Sequence, residues 1–503
     1  MKPENLFTPS SLSDRTSVQS NILSGIFFVL AIAAGIVVAF VGGEFGWISL
    51  FALPALVVGI AILLQPDFGV AAFAVVVYIQ LNRAISIYYP GFPTYLSPAY
   101  PLLGALLFLL IWRLFIYGDR PEGWKRASMI FVLMAFWLFS AITADDSALG
   151  LIKFQKYVEN SLFAFVIVFF VQRPTSLRRI IWSFLAAGIF TAILTVFQNL
   201  TSTYANNYGG FAQWEYSSTN GTTNYRAAGL YGNANAYAQS LIVLVPLALD
   251  RLWHEKRTFI RLIAALALVS CTLAIFFTYS RNGFVTLIFT LGFLIAIRRP
   301  NIMPLMITGV LALLLLQFLP TTYLSRLSTL FQFSSSNPTS VVSDQSFRGR
   351  MSENIAAWQM FQDNPLFGVG LDNFEVNYQD YSRKIGLDSR RTARAPASLY
   401  LEILSEQGLV GTAIFFIFIA MVFRSLWNAK RIFTLLEMED DAHITLAFLS
   451  GLLGYMFFYI SKSGSYSNAF WILLGIALSF EQVAKNSRIE QQEIRQDALQ
   501  RYQ

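Results

Sequence analysis

Long apolar runs constrain this chain more than any other feature. A helix that crosses a bilayer needs about 20 mostly apolar residues. Runs that approach this length lie near residues 22–41, 47–64, 68–81, 97–117, 127–144, 157–172, 180–199, 236–250, 259–279, 283–297, 302–319, 409–427, 445–461 and 467–483. They are continuously apolar rather than alternating, which favours helices over barrel strands. The sequence therefore predicts an all-α polytopic membrane protein with about 14 transmembrane helices, or about 12 if two short runs are re-entrant.

Composition supports a lipid environment. The chain is 55% hydrophobic and only 13% charged, whereas soluble proteins carry about 25% charged residues. So few charges cannot coat a surface that faces water. The single cysteine, Cys271, lies in an apolar run, so the chain has no disulfide framework. The polar first 21 residues favour a retained anchor over a cleaved signal peptide.

The charges of the connecting segments predict which side each segment faces. With the N-terminus in the cytoplasm, the segments that alternate to the inside carry clusters of Arg and Lys, and the short outside segments carry almost none. The whole formal net charge of +7 then falls on one side. Both termini are predicted to be cytoplasmic. Topology and anionic lipid headgroups explain the basic charge, so no nucleic-acid partner is expected.

The predicted division of the chain follows from these runs. It comprises a cytoplasmic tail (1–21), a transmembrane bundle (22–319), a large outer loop (320–408), the last three transmembrane helices (409–483) and a cytoplasmic tail (484–503). No internal repeat or soluble catalytic domain is evident, and the oligomeric state cannot be inferred.

The outer loop is predicted to contain an amphipathic helix over residues 348–362. Its apolar residues recur at helical spacing and are expected to lie on the bundle: Met351, Ile355, Trp358 and Phe361. Asp363-Asn364-Pro365 would end this helix.

Arg281 is the most informative single residue. It follows Ser280 at the junction between two apolar runs. A charge at such a junction is costly unless something anionic or polar meets it, which makes it a candidate binding site. The alternative is an interfacial arginine that only fixes the depth of a helix.

Other polar residues fall on the same predicted outer side. Arg226, Arg348 and Arg350 each offer a planar fork of donors, which suits a phosphate or pyrophosphate. Asn233 and Asn235 would cap the helix that begins there and direct backbone N–H groups at the same anion. Ordinary helix capping is the alternative for both asparagines.

Metal chemistry finds no support in the sequence. The only histidines, His254 and His443, fall on the predicted cytoplasmic side. No Cys/His/Asp cluster has the spacing of metal ligands, and no nucleotide-binding loop is present. The expected site therefore works without metal or other cofactor.

Four of these segments, in this order, resemble the O-antigen ligase and polysaccharide polymerase superfamily. They are RAAGLYGNANAY (226–237), TYSR (278–281), FRGRMSENIAAWQMFQDNPLFGVGLDNF (347–374) and ASLYLEILSEQG (397–408). Each motif alone has low specificity, but four in one order on one membrane side are specific. The resemblance covers roughly residues 200–425.

The resemblance implies a GT-C-like ligase architecture in a bacterial inner membrane, with a large periplasmic loop before the last three spans. It implies glycan transfer from undecaprenyl pyrophosphate to an acceptor hydroxyl at the periplasmic face. The partners would be a lipid-linked glycan donor, a glycan or lipid acceptor, and membrane lipids. Arg281 and Arg350, with Arg226 third, would stabilise the charge that grows on the leaving pyrophosphate.

One departure from the family pattern bears on catalysis. The family's His-Asn pair aligns with Ala397 and Ser398, and the histidine is the residue implied to activate the acceptor. A general base contributes typically 10²–10⁴-fold. Glu402, Tyr400 or Asp344 would replace it. Two alternatives to an enzyme remain open: an anion (bicarbonate) transporter of the same superfamily, or an inactive binder of lipid-linked glycan.

Overall fold

A computed structural model of the protein is almost entirely helical. It describes residues 65–88, 91, 97–117, 124–219, 222–299, 306, 309–310, 345–387, 394–464 and 467–501. Within these residues there are fourteen α-helices and one two-stranded hairpin.

The first helices are α1 (Pro66–Tyr78), α2 (Leu81–Tyr88), α3 (Ala99–Trp112, extended by a π-turn, Arg113–Tyr117), α4 (Trp124–Ile142), α5 (Ser147–Phe170) and α6 (Pro174–Leu200). Next come a 3₁₀ turn (Tyr208–Gly210), strands β1 (Gln213–Thr219) and β2 (Thr222–Gly229), and helices α7 (Ala234–His254), α8 (Thr258–Phe277) and α9 (Arg281–Arg298). The last are α10 (Gln345–Asp363), α11 (Phe374–Ile385), α12 (Leu399–Leu435), α13 (Glu439–Phe458), a 3₁₀ turn (Tyr459–Ser461) and α14 (Asn468–Arg501).

The prediction of an all-α polytopic membrane protein is confirmed. Among the described residues, six helices are long and apolar enough to cross a membrane, or seven if the bent pair α1 and α2 forms one span. Runs 22–41 and 47–64, and most of run 302–319, lie outside the described residues. The total of 14 or 12 spans therefore stays a prediction.

Local sequence signals fix where several helices begin. Asp146 caps α5, its carboxylate accepting the N–H groups of Ala148 and Leu149 at 3.1 and 3.2 Å. Pro174 opens α6, where its missing N–H costs nothing. These signals act over a few residues and can be recognised in the sequence.

Helix α7 runs through the centre of the bundle. Nearly all of its residues are buried, and it packs against α8, α9 and α13. Glycines on α13 allow the close approach: a Cβ at Gly451 would lie 2.9 Å from the carbonyl oxygen of Val243. Small residues permit such packing where no water drives helices together.

The end of the bundle where α7 and α9 finish and α13 begins, here the inner end, holds a buried charge network. The carboxylate of Asp250 accepts hydrogen bonds from Arg251 and Arg298. Arg178 donates two hydrogen bonds of 2.8 Å to Asp441. Each buried charge therefore has a partner, as burial requires.

Both histidines lie at this same inner end. The rings of His254 and His443 are 4.3 Å apart, between centroids. The two residues predicted to share the cytoplasmic side thus lie together. Which membrane face this end occupies stays a prediction.

The opposite end, here the outer end, gathers the starts of α7, α9 and α12 and the end of α13. Asn282 at the start of α9 donates to the Phe458 carbonyl at 2.9 Å. The N–H of Leu399 donates to the carbonyl of Lys462 at 3.0 Å. The segments that the sequence places outside therefore meet in space.

The predicted loop helix exists as α10, but the side that packs on the protein differs from the prediction. Residues Ser352, Glu353, Ala356, Ala357 and Met360 are buried, and α10 packs against α11 and α12. Met351 and Trp358, expected to lie on the bundle, are 45% and 48% exposed. A stripe of small residues lets α10 approach α12 closely, which leaves the bulky apolar side chains facing outward. The helix ends at Asp363, the first residue of the predicted Asp363-Asn364-Pro365 stop.

Helix α12 is broken at Gly408, where φ is 62° and ψ is −163°. This backbone conformation is accessible essentially only to glycine. A Cβ at Gly408 would lie 2.4 Å from the backbone of Leu366. The break therefore lets the turn after α10 pack directly on α12.

Candidate functional site

The hairpin positions Arg226 at the outer end. Glu215 and Arg226 pair across the two strands, and Tyr216 pairs with Tyr225 at the next position. Because side chains alternate along a strand, Arg226 and Tyr225 point to opposite faces. The charged face is turned towards α7 and the α8–α9 junction.

Arg226 joins three elements. Its Nε donates to the carbonyl of Thr278 at 2.9 Å, and its Nη2 donates to Oδ1 of Asn235 at 3.0 Å. Its Nη1 lies 4.0 Å from Glu215. The predicted pyrophosphate contact thus also holds the hairpin against the α8–α9 junction.

Ser280 and Asn235 complete this connection. The hydroxyl of Ser280 donates to Oδ1 of Asn235 at 2.8 Å and accepts the N–H of Gly283 at 3.1 Å. Ser280 is therefore the N-cap of α9. We call Arg226, Asn235, Ser280 and Arg281 the outer polar cluster.

Asn233 is an ordinary helix cap, which is the alternative that the sequence left open. Its side chain accepts the N–H of Ala236 at 3.0 Å, which makes it the N-cap of α7. The carboxylate of Glu215 accepts the N–H of Ala234 at 3.0 Å. Two of the N–H groups that were expected to bind a phosphate therefore already donate to side chains of the protein itself.

Arg281 is the first residue of α9 and is partly buried. Two residues before it, Tyr279 has a φ of 49°, which lies in the left-handed region. Such a conformation in a bulky residue costs about 1–3 kcal/mol and persists only where the surroundings impose it. Here the surroundings include the Arg226 bond to Thr278 on one side and the Ser280 cap on the other.

The structure distinguishes the two arginines of α10. Arg350, which the sequence favours, is exposed, whereas Arg348 is partly buried. The Nε of Arg348 is buried without a hydrogen-bond partner among the described residues. Arg394 pairs with the buried Glu353 of α10 at 2.7 Å.

The candidate bases differ in their hydrogen-bond partners. The hydroxyl of Tyr400 donates to the Met456 carbonyl at 2.8 Å, so its proton is engaged in packing α12 against α13. Glu402 is buried and accepts the N–H of Gly464 at 3.0 Å. Asp344 lies outside the described residues.

Glu406 has a structural role. It is buried, and its carboxylate accepts the N–H groups of Asp372 at 3.1 Å and Phe374 at 3.4 Å. Asp372 also forms an ion pair with the buried Lys153. Glu406 therefore secures the turn that precedes α11.

Sequence reasoning missed Lys462. Its Nζ donates to Oε1 of Gln239 at 2.8 Å, and burial lowers the pKa of this amine to about 8, against the raising influence of the Glu402 carboxylate. One sequence signal could have identified it. A lysine stands in a short connector on the side where short connectors otherwise carry almost no charge.

The segment that departs from the family pattern lies beside this lysine. The hydroxyl of Ser398 donates to the Tyr459 carbonyl at 3.3 Å. Ala397 and Ser398 therefore face the connector that carries Lys462.

Among the residues that the structure describes, no group of three or more His, Cys, Asp or Glu side chains is placed to hold a metal ion. Metal independence stays a prediction.

The fold defines a class, a multi-pass, all-α membrane protein, and the outer polar cluster lies at one end of its bundle. Residues 265–416 match the family model described as O-Antigen ligase. This match confirms the resemblance to the O-antigen ligase superfamily, and it spans α8 to the first part of α12. A comparison with curated proteins gives no match.

Proposed function

We propose that this protein is a glycosyltransferase of the O-antigen ligase or polymerase type in a bacterial inner membrane. It would transfer a glycan from undecaprenyl pyrophosphate to an acceptor hydroxyl at the periplasmic face. The observation that carries the proposal is the outer polar cluster. It places Arg226 and Arg281 at one junction of the segment that matches the family.

The cluster suits a leaving pyrophosphate. When the bond to the anomeric carbon breaks, negative charge grows on the phosphate oxygens. Guanidinium groups fixed before the reaction stabilise this charge without reorganising. Arg226 is held by two hydrogen bonds, and Arg281 begins a helix whose positive dipole end faces the same place.

Arg348 extends this arrangement to the loop. Its partly buried guanidinium has a donor that no described residue satisfies. A buried donor without a partner costs about 1–3 kcal/mol, which a phosphate oxygen would recover. We therefore assign Arg348 a larger share of donor binding than the exposed Arg350.

Complementation of glycan display tests the proposal. In a strain that lacks the gene, the wild-type protein should restore surface polysaccharide, and Arg281→Ala should restore less than about one hundredth of it, as loss of a charge-stabilising donor does. Arg383→Ala is the matched control, because Arg383 is 73% exposed on the same side. Both variants must accumulate in the membrane to the wild-type level.

The same strain distinguishes the transporter. Ala397 in place of a histidine favours this second candidate, since anion transport needs no base. If loss of the gene leaves surface polysaccharide unchanged while bicarbonate uptake falls, the protein is a transporter. If the Arg281→Ala variant complements fully, the outer polar cluster is not the donor site.

A further inference from the structure

Lys462 lies where the connector between α13 and α14 crosses the outer end. Its backbone carbonyl accepts the N–H of Leu399, at the start of α12, at 3.0 Å. Its side chain turns inward to α7, where Nζ donates to Oε1 of Gln239 at 2.8 Å. The amine is therefore fixed between the first turn of α12 and the central helix.

This position adjoins the outer polar cluster. Gln239 follows Asn235 by four residues, so the two side chains share one face of α7, about 6 Å apart along its axis. Oδ1 of Asn235 in turn accepts hydrogen bonds from Arg226 and Ser280. The same face of α7 therefore contacts the Arg226 guanidinium at Asn235 and, one turn further along, the Lys462 amine at Gln239.

The groups around the amine differ from those around the guanidinium. Glu402 from α12 contributes a buried carboxylate, held by the N–H of Gly464. The ring of Tyr459 lies 5.7 Å from Nζ, and the Tyr455 carbonyl accepts a hydrogen bond from the Gln239 amide. From α9, Arg281 begins the helix whose next residue, Asn282, binds the Phe458 carbonyl.

These neighbours argue against a second phosphate site. A phosphate beside Lys462 would approach the carboxylate of Glu402, and like charges repel. An uncharged hydroxyl meets no such repulsion. A lysine amine that is shielded from water also exchanges protons more readily than a guanidinium, which stays charged at every accessible pH.

We propose that Lys462 accepts the proton of the acceptor hydroxyl during glycan transfer, with Gln239 and Glu402 as positioning residues. This inference rests on the proposed glycosyltransferase function. It adds a proton acceptor to a site in which the sequence identified only carboxylate and phenol candidates.

The step balances as follows. The neutral Nζ of Lys462 takes the hydroxyl proton while the hydroxyl oxygen forms a bond to the anomeric carbon. The bond from that carbon to the pyrophosphate oxygen breaks, and the pyrophosphate leaves with the electron pair. The ammonium group then releases its proton to water. The pKa of about 8 for this amine suits the role, because a base works best with a pKa near the working pH.

A pH–rate profile of the purified full-length protein tests the proposal. The donor would be undecaprenyl-pyrophosphate-linked glycan from the strain that lacks the gene, and the readout would be release of undecaprenyl pyrophosphate in the presence of its acceptor. The wild-type rate should rise up to tenfold per pH unit below about 8 and level off above it. Lys462→Arg should lose about 10²–10⁴-fold and this rise, because arginine stays protonated.

Glu402→Gln supplies a second measurement that does not depend on removing the amine. Without the carboxylate that favours the ammonium form, the rise should move to lower pH. Lys384→Arg is the control for a Lys-to-Arg change, since Lys384 is an exposed lysine of the outer loop. Its profile should match that of the wild type.

The outcomes separate the two proposals. If Arg281→Ala abolishes release while Lys462→Arg keeps the wild-type rate and profile, the assignment of Lys462 is wrong and the glycosyltransferase function stands. An unchanged profile in Glu402→Gln also overturns the assignment. If the wild-type protein releases no undecaprenyl pyrophosphate, the proposed function itself is wrong.

Discussion

At the scale of single residues, Arg226 holds together the outer polar cluster that we propose as the donor site. Arg226 uses Nε and Nη2 to hold Thr278 and Asn235. These bonds tie together residues that lie 52 and 9 positions away in sequence. Removing the charge would therefore also loosen the junction that positions Arg281.

The Arg226→Lys substitution should separate the effect of the positive charge at this position from the effect of its two hydrogen bonds. Lysine keeps the positive charge but cannot reach both partners with a rigid fork. Two lost hydrogen bonds of about 0.5–1.5 kcal/mol each predict a rate of glycan transfer lower by roughly 5- to 160-fold. The measurement is undecaprenyl pyrophosphate release. Arg383→Lys should behave as wild type, and equal rates in both variants would show that charge alone suffices.

At the scale of secondary-structure elements, the outer loop is fixed to the bundle by backbone proximity. Gly368, in the turn after α10, packs against the backbone of Glu406 in α12, and Gly408 in α12 packs against the backbone of Leu366 in that turn. A Cβ placed at Gly368 would lie 2.3 Å from the backbone of Glu406. The Val369 and Gly370 N–H groups donate to the Ser405 and Glu406 carbonyls at 3.0 and 2.9 Å. The break in α12 frees those carbonyls for the loop.

Gly408→Ala should weaken this contact. Alanine is strained at a φ of 62° and ψ of −163°, and its Cβ would meet the Leu366 backbone. We expect a loss of about 1–3 kcal/mol or more in folding free energy, seen as a lower midpoint of thermal unfolding in detergent.

Gly292→Ala is the control for that substitution. Gly292 lies within α9, and a Cβ there meets nothing within 4 Å. The control should unfold at or slightly above the wild-type temperature, because alanine favours helix. A Gly408→Ala variant as stable as this control would mean that the break in α12 is not required.

At the scale of the whole molecule, charge divides the bundle into two ends. The inner end neutralises its buried arginines internally, as the bonds of Asp250 to Arg251 and Arg298 show. The outer end holds Arg226 and Arg281 at the α8–α9 junction, beside segments that match the family. The outer end is therefore where we propose that an anionic lipid-linked substrate binds.

Site-directed labelling tests which end faces the periplasm. In a Cys271→Ala background, Tyr216→Cys at the outer end should react with a membrane-impermeant maleimide on intact spheroplasts. Leu435→Cys at the inner end should react only after lysis. Both positions are exposed, at 55% and 80%, so a difference in labelling reports sidedness and not burial. The reverse pattern would place the site in the cytoplasm.

Sequence by itself determined the class of this protein and much of its local structure. Apolar runs identify membrane helices because a bilayer demands continuous hydrophobicity. Asn233 was recognisable as a helix start, since capping acts over three residues. The ordered motifs identified the superfamily.

Tertiary structure alone decided what each polar group contacts. Lys462 binds Gln239 across 223 positions of sequence, and no local pattern records such a pair. The packed side of α10 was also decided there, because its buried side consists mostly of small residues such as Ala356 and Ala357, whereas Met351 and Trp358 face outward. Hydropathy and capping are properties of neighbours in the chain, whereas a binding site is made by neighbours in space.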